Sequence, residues 1–480
     1  MFDLIIRNGT VVTPGGVLSI DIAIEEGKIV ALGQQSTLGE SREVIDAVGC
    51  IVVPGGIDPH VHCNLHVDDP RGGASSVSEG AEHVSRAALH GGTTTLIDFV
   101  WVEPRETLRQ AIDNKLDEWS GHCHSDFTFH VVLRGEVDER ILGELPSVID
   151  GGFSSFKMFT TNVYPQSKTP IGGVPLKIDF GSMAEVLGIL REYGGLGVIH
   201  AEDDDLVQHS YRVHERKGRT HFKYMPEVHS AMSEDLAFRR VIGLAGHRGS
   251  APLYFMHVSA ETGVRAIGNA RESGRPIFGE TLHQYALRTQ DNYEEPDGMK
   301  YHTYPSLKSK GDAESLWDGV RVGNISTFAT DEQCTPYDIK TAGDRIDNVV
   351  GGNTGAEPRM IIVYSECMRR GLGLRKFVQV TSENSAKLFG LYPQKGAIAI
   401  GSDADLVVID PNQHRTITAA DLHESDYTPW EGWEVTGWPT VTVFQGRVVA
   451  RNGEFYGAPS NGNLIKRSLG ADIEKGPDFL

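Results

Sequence analysis

Two histidines separated by one residue, His60 and His62, close the segment Pro54-Gly55-Gly56-Ile57-Asp58-Pro59-His60-Val61-His62. Side chains alternate faces along a strand, so positions two apart project to the same side. Two imidazoles on one side of a strand end can hold one metal ion. The run Ile51-Val52-Val53 before them reads as a short apolar strand, which Pro54-Gly55-Gly56 breaks. In a chain with 19 histidines the pair is only moderately specific. Its weight comes from its partners.

Four further candidate ligands each follow an apolar run of the kind that forms a buried parallel strand. Phe153-Ser154-Ser155-Phe156 leads into Lys157, and Leu196-Gly197-Val198-Ile199 into His200. Leu253-Tyr254-Phe255-Met256 leads into His257, and Ile325 to Thr330 into Asp331. Segments with helical spacing, such as Met183 to Tyr193 and Glu261 to Glu272, lie between them. This alternation predicts an α/β protein, a (β/α)₈ barrel from Pro54 to Leu391, with its chemistry at the C-terminal mouth of the strands. A single histidine ending a strand is more often a satisfied core group than a ligand. Six such residues in order reverse that balance.

The set His60, His62, Lys157, His200, His257 and Asp331 resembles the binuclear site of the amidohydrolase superfamily, in its hydantoinase and dihydropyrimidinase branch. Pro54 to His62, Gly91 to Phe99, Phe156 to Phe159, His200 to Asp203, Met256 to Ser259 and Gly401 to Pro411 carry the resemblance, which runs from about residue 1 to residue 455. It implies two divalent ions, zinc by preference, since imidazole and carboxylate suit that metal. It also implies that Lys157 is carboxylated by carbon dioxide to N6-carboxylysine, an anionic bridging ligand, because an ammonium group would repel a cation. Metal-bound hydroxide would attack the ring carbonyl of a cyclic amide or imide. Asp331 would act as general base and then as general acid toward the departing nitrogen. An allantoinase-like enzyme or another cyclic imide hydrolase is the alternative within the class. A non-catalytic signalling relative is the alternative outside it, and the intact ligand set argues against that reading.

The surroundings depart from the family pattern. Asn162 stands where a tyrosine is usual five residues after the lysine, with Tyr164 two residues further on. Either side chain, or the metals alone, would then stabilise the oxyanion. Leu282-His283 replaces the usual Cys-Pro, Tyr304 replaces a serine that meets substrate through its backbone, and Asn353 is displaced by two positions. Asn162, Tyr164, Tyr304 and Asn353 are the candidate substrate-binding residues.

The 480 residues exceed the size at which one core keeps growing, so two domains are expected. Residues 1–53 and 392–457 contain hairpin-like strands and should form one small β-sandwich around the barrel at 54–391. The proposed strands are Leu4 to Val12, Ile22 to Ile24, Ile29-Val30, Leu406 to Ile409, Val441 to Phe444 and Arg447 to Ala450. Residues 458–480 read as a polar tail that packs on a neighbouring subunit, in a homo-oligomer (dimer or tetramer) by the resemblance. A net charge of −20 argues against nucleic acid or an anionic membrane as partner. Five scattered cysteines suggest free thiols, and the early acid in Met1 to Arg7 argues against a secretory signal, so a cytoplasmic protein is expected.

Several other residues have ordinary explanations. His122-Cys123-His124 lacks partners, and His66, Asp68 and Asp69 fit a solvated loop. His130 fits a core position, Cys63 and Cys334 fit small fillers near the mouth, and Arg212 to Lys223 fits a helix face or a lid.

Overall fold

A computed structural model of the chain describes residues 1–35, 37–72, 75–168 and 173–480. Eight parallel strands follow one another around a barrel in strict chain order: Gly56–Asp58, Thr93–Trp101, Asp126–Leu133, Ser155–Phe159, Leu196–His200, Leu253–Phe255, Ile277–Leu282 and Thr327–Ala329. The first and last meet just beyond their ends, where His62 N donates to Glu332 O at 2.7 Å. These strands are buried along nearly their whole length, as expected when helices cover one face and barrel packing the other.

The helices between them start and stop on local signals. Asp179 accepts from the backbone N–H groups of Gly181 and Ser182 and so opens the helix Phe180–Tyr193. Such a cap contributes about 1 kcal/mol. Gly194, at φ 78°, ends the same helix in the left-handed region that glycine tolerates.

The two ends of the chain share one sheet. Ile51–Pro54 pairs antiparallel with Leu406–Thr416, Leu406 opposite Pro54 and Ile409 opposite Ile51. That seven-stranded sheet and a four-stranded one enclose a common core of Leu4, Ile6, Ile22 and Ile24 with Leu406, Val408, Val441 and Val443. Each such side chain contributes about 1.5–3 kcal/mol on burial. The hairpins at Glu26-Gly27 and Gln445-Gly446 turn through positive φ, as their sequences require.

Some expectations need correction. The single strand proposed from Leu4 to Val12 is two strands, Phe2–Arg7 and Thr10–Thr13, which join different sheets. Asn8, at φ 63°, breaks them while its N–H donates to Asp21. Lys157 does not end its strand but lies inside Ser155–Phe159. Part of the C-terminal stretch, read as polar tail, is buried within its own chain, a contact that leaves packing on a neighbouring subunit open: Phe127 N donates to Asn463 O, Ile465 N donates to Phe127 O, and Arg467 is buried against Thr128, Phe129 and Ser155.

Candidate active site

The six ligand-type residues converge at the C-terminal mouth of the barrel, in two groups. His60 Nε2 and His62 Nε2 lie 3.0 and 3.1 Å from the same oxygen of Asp331, Oδ1. His200 Nδ1 and His257 Nε2 lie 3.0 Å apart. The groups face each other, the rings of His60 and His257 being 5.5 Å apart. Both His257 and Asp331 sit just past their strands at positive φ (40° and 53°), which turns the side chains back across the mouth. Non-glycine residues in that region are uncommon and cluster at functional sites.

Each group has a carboxylate behind it. Glu280 Oε1 lies 2.8 Å from His60 Nδ1 and also accepts from His257 N. Glu202 Oε2 lies 2.9 Å from His200 Nε2, and the same carboxylate meets His229 Nδ1. Thr303 Oγ1 donates to Asp331 Oδ2 at 2.8 Å. These partners fix the tautomers and leave His60 Nε2, His200 Nδ1 and Asp331 Oδ1 facing inward.

The electrostatics of the cluster fit a cation. Burial opposes charge on His60, yet Asp331 and Glu280 raise its pKa to about 9, so a proton stands between two carboxylates. Burial pushes His257 well below the usual imidazole value, with His200 and Lys157 adding to the effect. Burial would raise Asp331, but His60 and His62 hold it well below the ordinary carboxylate range. His62 Nδ1 is buried without a hydrogen-bond partner among the described residues. Lys157 is buried, and among the described residues its Nζ donates only to the Met256 sulfur, at 2.8 Å. Burial lowers its pKa to about 8, against the pull of Asp331 and Glu280. The lowered imidazoles of His62, His200 and His257, an ionised carboxylate and an amine with a depressed pKa form a donor set that suits divalent metal, and a bound cation would take the place of the extra proton on His60.

All six residues line a cavity of about 390 Å³. Its other walls include Phe99, Trp101, Phe159, Tyr164, Tyr304 and Arg134. Aromatic walls among many converging polar and charged groups, such as Glu103, Asn114, Lys115 and Gln333, suit a small polar molecule.

A family model described as the amidohydrolase family matches residues 51–449. The chain belongs to the amidohydrolase family. Within it the chain belongs to the hydantoinase branch. A D-hydantoinase of Geobacillus stearothermophilus is 36% identical over 477 residues, covering 97% of this chain and 96% of the relative. A D-phenylhydantoinase of Escherichia coli is 33% identical, covering 97% and 98%. The crystal structure of a dihydropyrimidinase from Brevibacillus agri superposes with a TM-score of 0.90 at 34% identity, covering 98% and 100%. Amidohydrolases of this type are metal-dependent hydrolases of cyclic amides, and the metal-capable cluster sits where the fold puts its chemistry. No helix among the described residues is long and apolar enough to cross a membrane.

The candidate substrate-binding residues divide. Tyr164 and Tyr304 line the cavity with their rings 5.4 Å apart, edge to face. Asn162 is not among the cavity walls, and its Oδ1 accepts from Leu176 N and Lys177 N. Asn353 is buried with its amide oriented toward Gly352 O and Lys300 O. His283, from the altered Leu-His pair, stacks on Trp430 at 4.8 Å and is also absent from the walls.

Of the residues with ordinary explanations, His66 and Cys63 line the mouth, while His130 is buried between Ser155 and the Pro59 carbonyl. His122, Cys123 and His124 form no metal-capable group among the described residues, and all five cysteines are free.

Sequence reasoning gave no role to Trp101, Arg134, Thr303, Glu280 or Lys340. The two-residue period would have placed Trp101 on the same strand face as Phe99. The buried Lys340 donates to His302 O, Val350 O and Gly352 O, tying together the loops that carry Thr303, Tyr304 and Gly351. No local sequence signal marks that role.

Proposed function

We propose that this chain opens the ring of a hydantoin- or dihydropyrimidine-type cyclic amide, using two zinc ions held by His60, His62, Lys157, His200, His257 and Asp331, with Lys157 as N6-carboxylysine. The observation that carries this reading is the convergence of His60, His62 and Asp331 opposite His200 and His257, with a buried lysine that has no carboxylate within hydrogen-bond distance among the described residues. The names of the relatives, D-hydantoinase, D-phenylhydantoinase and dihydropyrimidinase, supply the substrate class. When bound, the metals would polarise the ring carbonyl and supply a strong water-derived nucleophile at neutral pH.

The residues of the chain do the rest. Lys157, neutral above about pH 8, has the free amine that reaction with carbon dioxide needs. Asp331, ionised and steadied by Thr303, takes the proton of the attacking water and returns it to the departing ring nitrogen. Nitrogen is a poor leaving group, so the second transfer is needed. Tyr164, on the cavity wall with its hydroxyl pKa pushed by burial to about 12, remains protonated and donates to the oxyanion. Tyr304 packs edge to face against Tyr164 and shapes the same wall, and Asn162 and Asn353 act through the loops their amides meet.

Turnover of a panel of 5-substituted hydantoins of both hands, dihydrouracil, allantoin, dihydroorotate and succinimide tests the substrate class. Hydantoin or dihydrouracil should be opened fastest. Preferential turnover of allantoin would favour the allantoinase-like alternative. Elemental analysis after gentle purification tests the metals, with close to two equivalents bound at this centre. A dimer or tetramer and a cytoplasmic location belong to the same reading, and light scattering and cell fractionation test them.

A further inference from the structure

A second group of ligand-type side chains stands where the helix Ala81–His90 ends. His90, Glu357 and His423 each offer a ligand atom, and these atoms lie within 4.8 Å of one another. The two imidazoles stack with ring centroids 3.6 Å apart and planes 8° apart. Glu357 Oε1 lies 2.9 Å from His423 Nδ1, and Glu357 Oε2 accepts from His423 N at 2.6 Å. The group borders a cavity of about 220 Å³ that also touches Asp421. None of the three lines the active-site cavity.

Three features suit this cluster to a metal. First, His90 Nε2 is buried and has no hydrogen-bond partner among the described residues. A buried polar atom left unmatched is costly, and a bound cation would satisfy it. Second, Glu357 Oε1 and His423 Nδ1 already face each other at 2.9 Å, close enough for both to meet one ion. Third, the approach is enforced by packing. A Cβ at Gly91 would lie 1.8 Å from Glu357 O, so only glycine lets the end of this helix come so close to Glu357.

We propose that His90, His423 and Glu357 form a second, zinc-class metal site, separate from the active centre. Two imidazoles and a carboxylate select zinc, cobalt or nickel over calcium and magnesium, with water completing the shell. The rings are now nearly parallel, so binding requires one to turn toward the other. His423, with 34% of its side chain exposed, is the one able to turn. A bound ion would fasten the helix Ala81–His90 to the 421–424 segment, close to the strand Glu434–Phe444 of the end-built sheet.

The experiment compares the full-length, zinc-loaded parent with His423→Ala and His90→Asn after dialysis against micromolar free zinc. Elemental analysis should give the parent one equivalent more than either variant, and zinc should raise the parent's Tm further than theirs. Hydrolytic activity, which these residues do not touch, reports that both variants are folded. Because the readout is a difference between parent and variants, it does not depend on how many ions the active centre holds. Equal zinc content in the parent and an active variant would overturn the proposal.

Discussion

Lys157 and Lys395 are both buried lysines in the same chain, and their surroundings treat them oppositely. Lys395, between the barrel and the end-built sheets, meets Asp126, Asp405 and Asp403 at 2.5, 2.6 and 3.0 Å. Burial would lower its pKa, but the three carboxylates raise it above the ordinary lysine value. Lys157, at the mouth, has a thioether as its hydrogen-bond acceptor, and burial wins. A buried charge with partners is a structural joint. A buried amine without them is chemically available, and the difference separates the part of this protein that holds together from the part that reacts.

The largest effect should come from Lys157→Ala. Activity should fall to background and metal content should drop, with partial rescue by small carboxylates that replace the missing anionic ligand. Full activity in that variant would break the comparison, because Lys157 would then be another structural lysine.

Lys395→Met should do the reverse. Removing the cation leaves three buried carboxylates facing one another, at a cost of about 3–5 kcal/mol. The urea midpoint should fall, while turnover per folded molecule stays near that of the parent. A loss of turnover with an unchanged midpoint would contradict the structural role.

Tyr164→Phe should lower kcat by about 10²–10³, the usual cost of one oxyanion donor, with metal content unchanged. Asn162→Ala should have a smaller effect, because its Oδ1 serves the backbone of Leu176 and Lys177. Steady-state kinetics with elemental analysis separates the two. If both variants stay within a few-fold of the parent, the metals alone stabilise the oxyanion.

Glu234→Gln should give the smallest effect and tests an intermediate case. This buried carboxylate accepts from Ser259 and Ala260 N, just past His257, and among the described residues has no cation in hydrogen-bond contact. Burial raises its pKa to about 7, against the pull of Lys308. The folded state therefore holds a proton that the unfolded chain releases near its ordinary value of 4.5. The stability this contributes is fully present below that value and is lost as the pH rises through about 7. Urea midpoints across that window should fall with pH in the parent and fall less steeply in Glu234→Gln. Parallel curves would show that Glu234 titrates normally.

The sequence by itself determined the ligand types, their order and the alternation of elements that delivers them. Ligand chemistry is a property of the residue, and strand and helix periods are local. His60 and His62, His200 and the hairpins at both ends were legible for that reason. The outcome at Asn8 shows the limit: a positive φ within an apolar run divides one strand between two sheets. Only the tertiary structure decided which groups stand behind the ligands. Glu280 reaches His60 from 220 positions away, and Arg467 enters the barrel from a tail that reads as polar surface. Only the tertiary structure likewise gave Lys157 a thioether and Lys395 three carboxylates, and brought His90 to Glu357 and His423. Burial and partners set the charge state and reactivity of a side chain, and both arise from contacts between distant segments that no local period encodes.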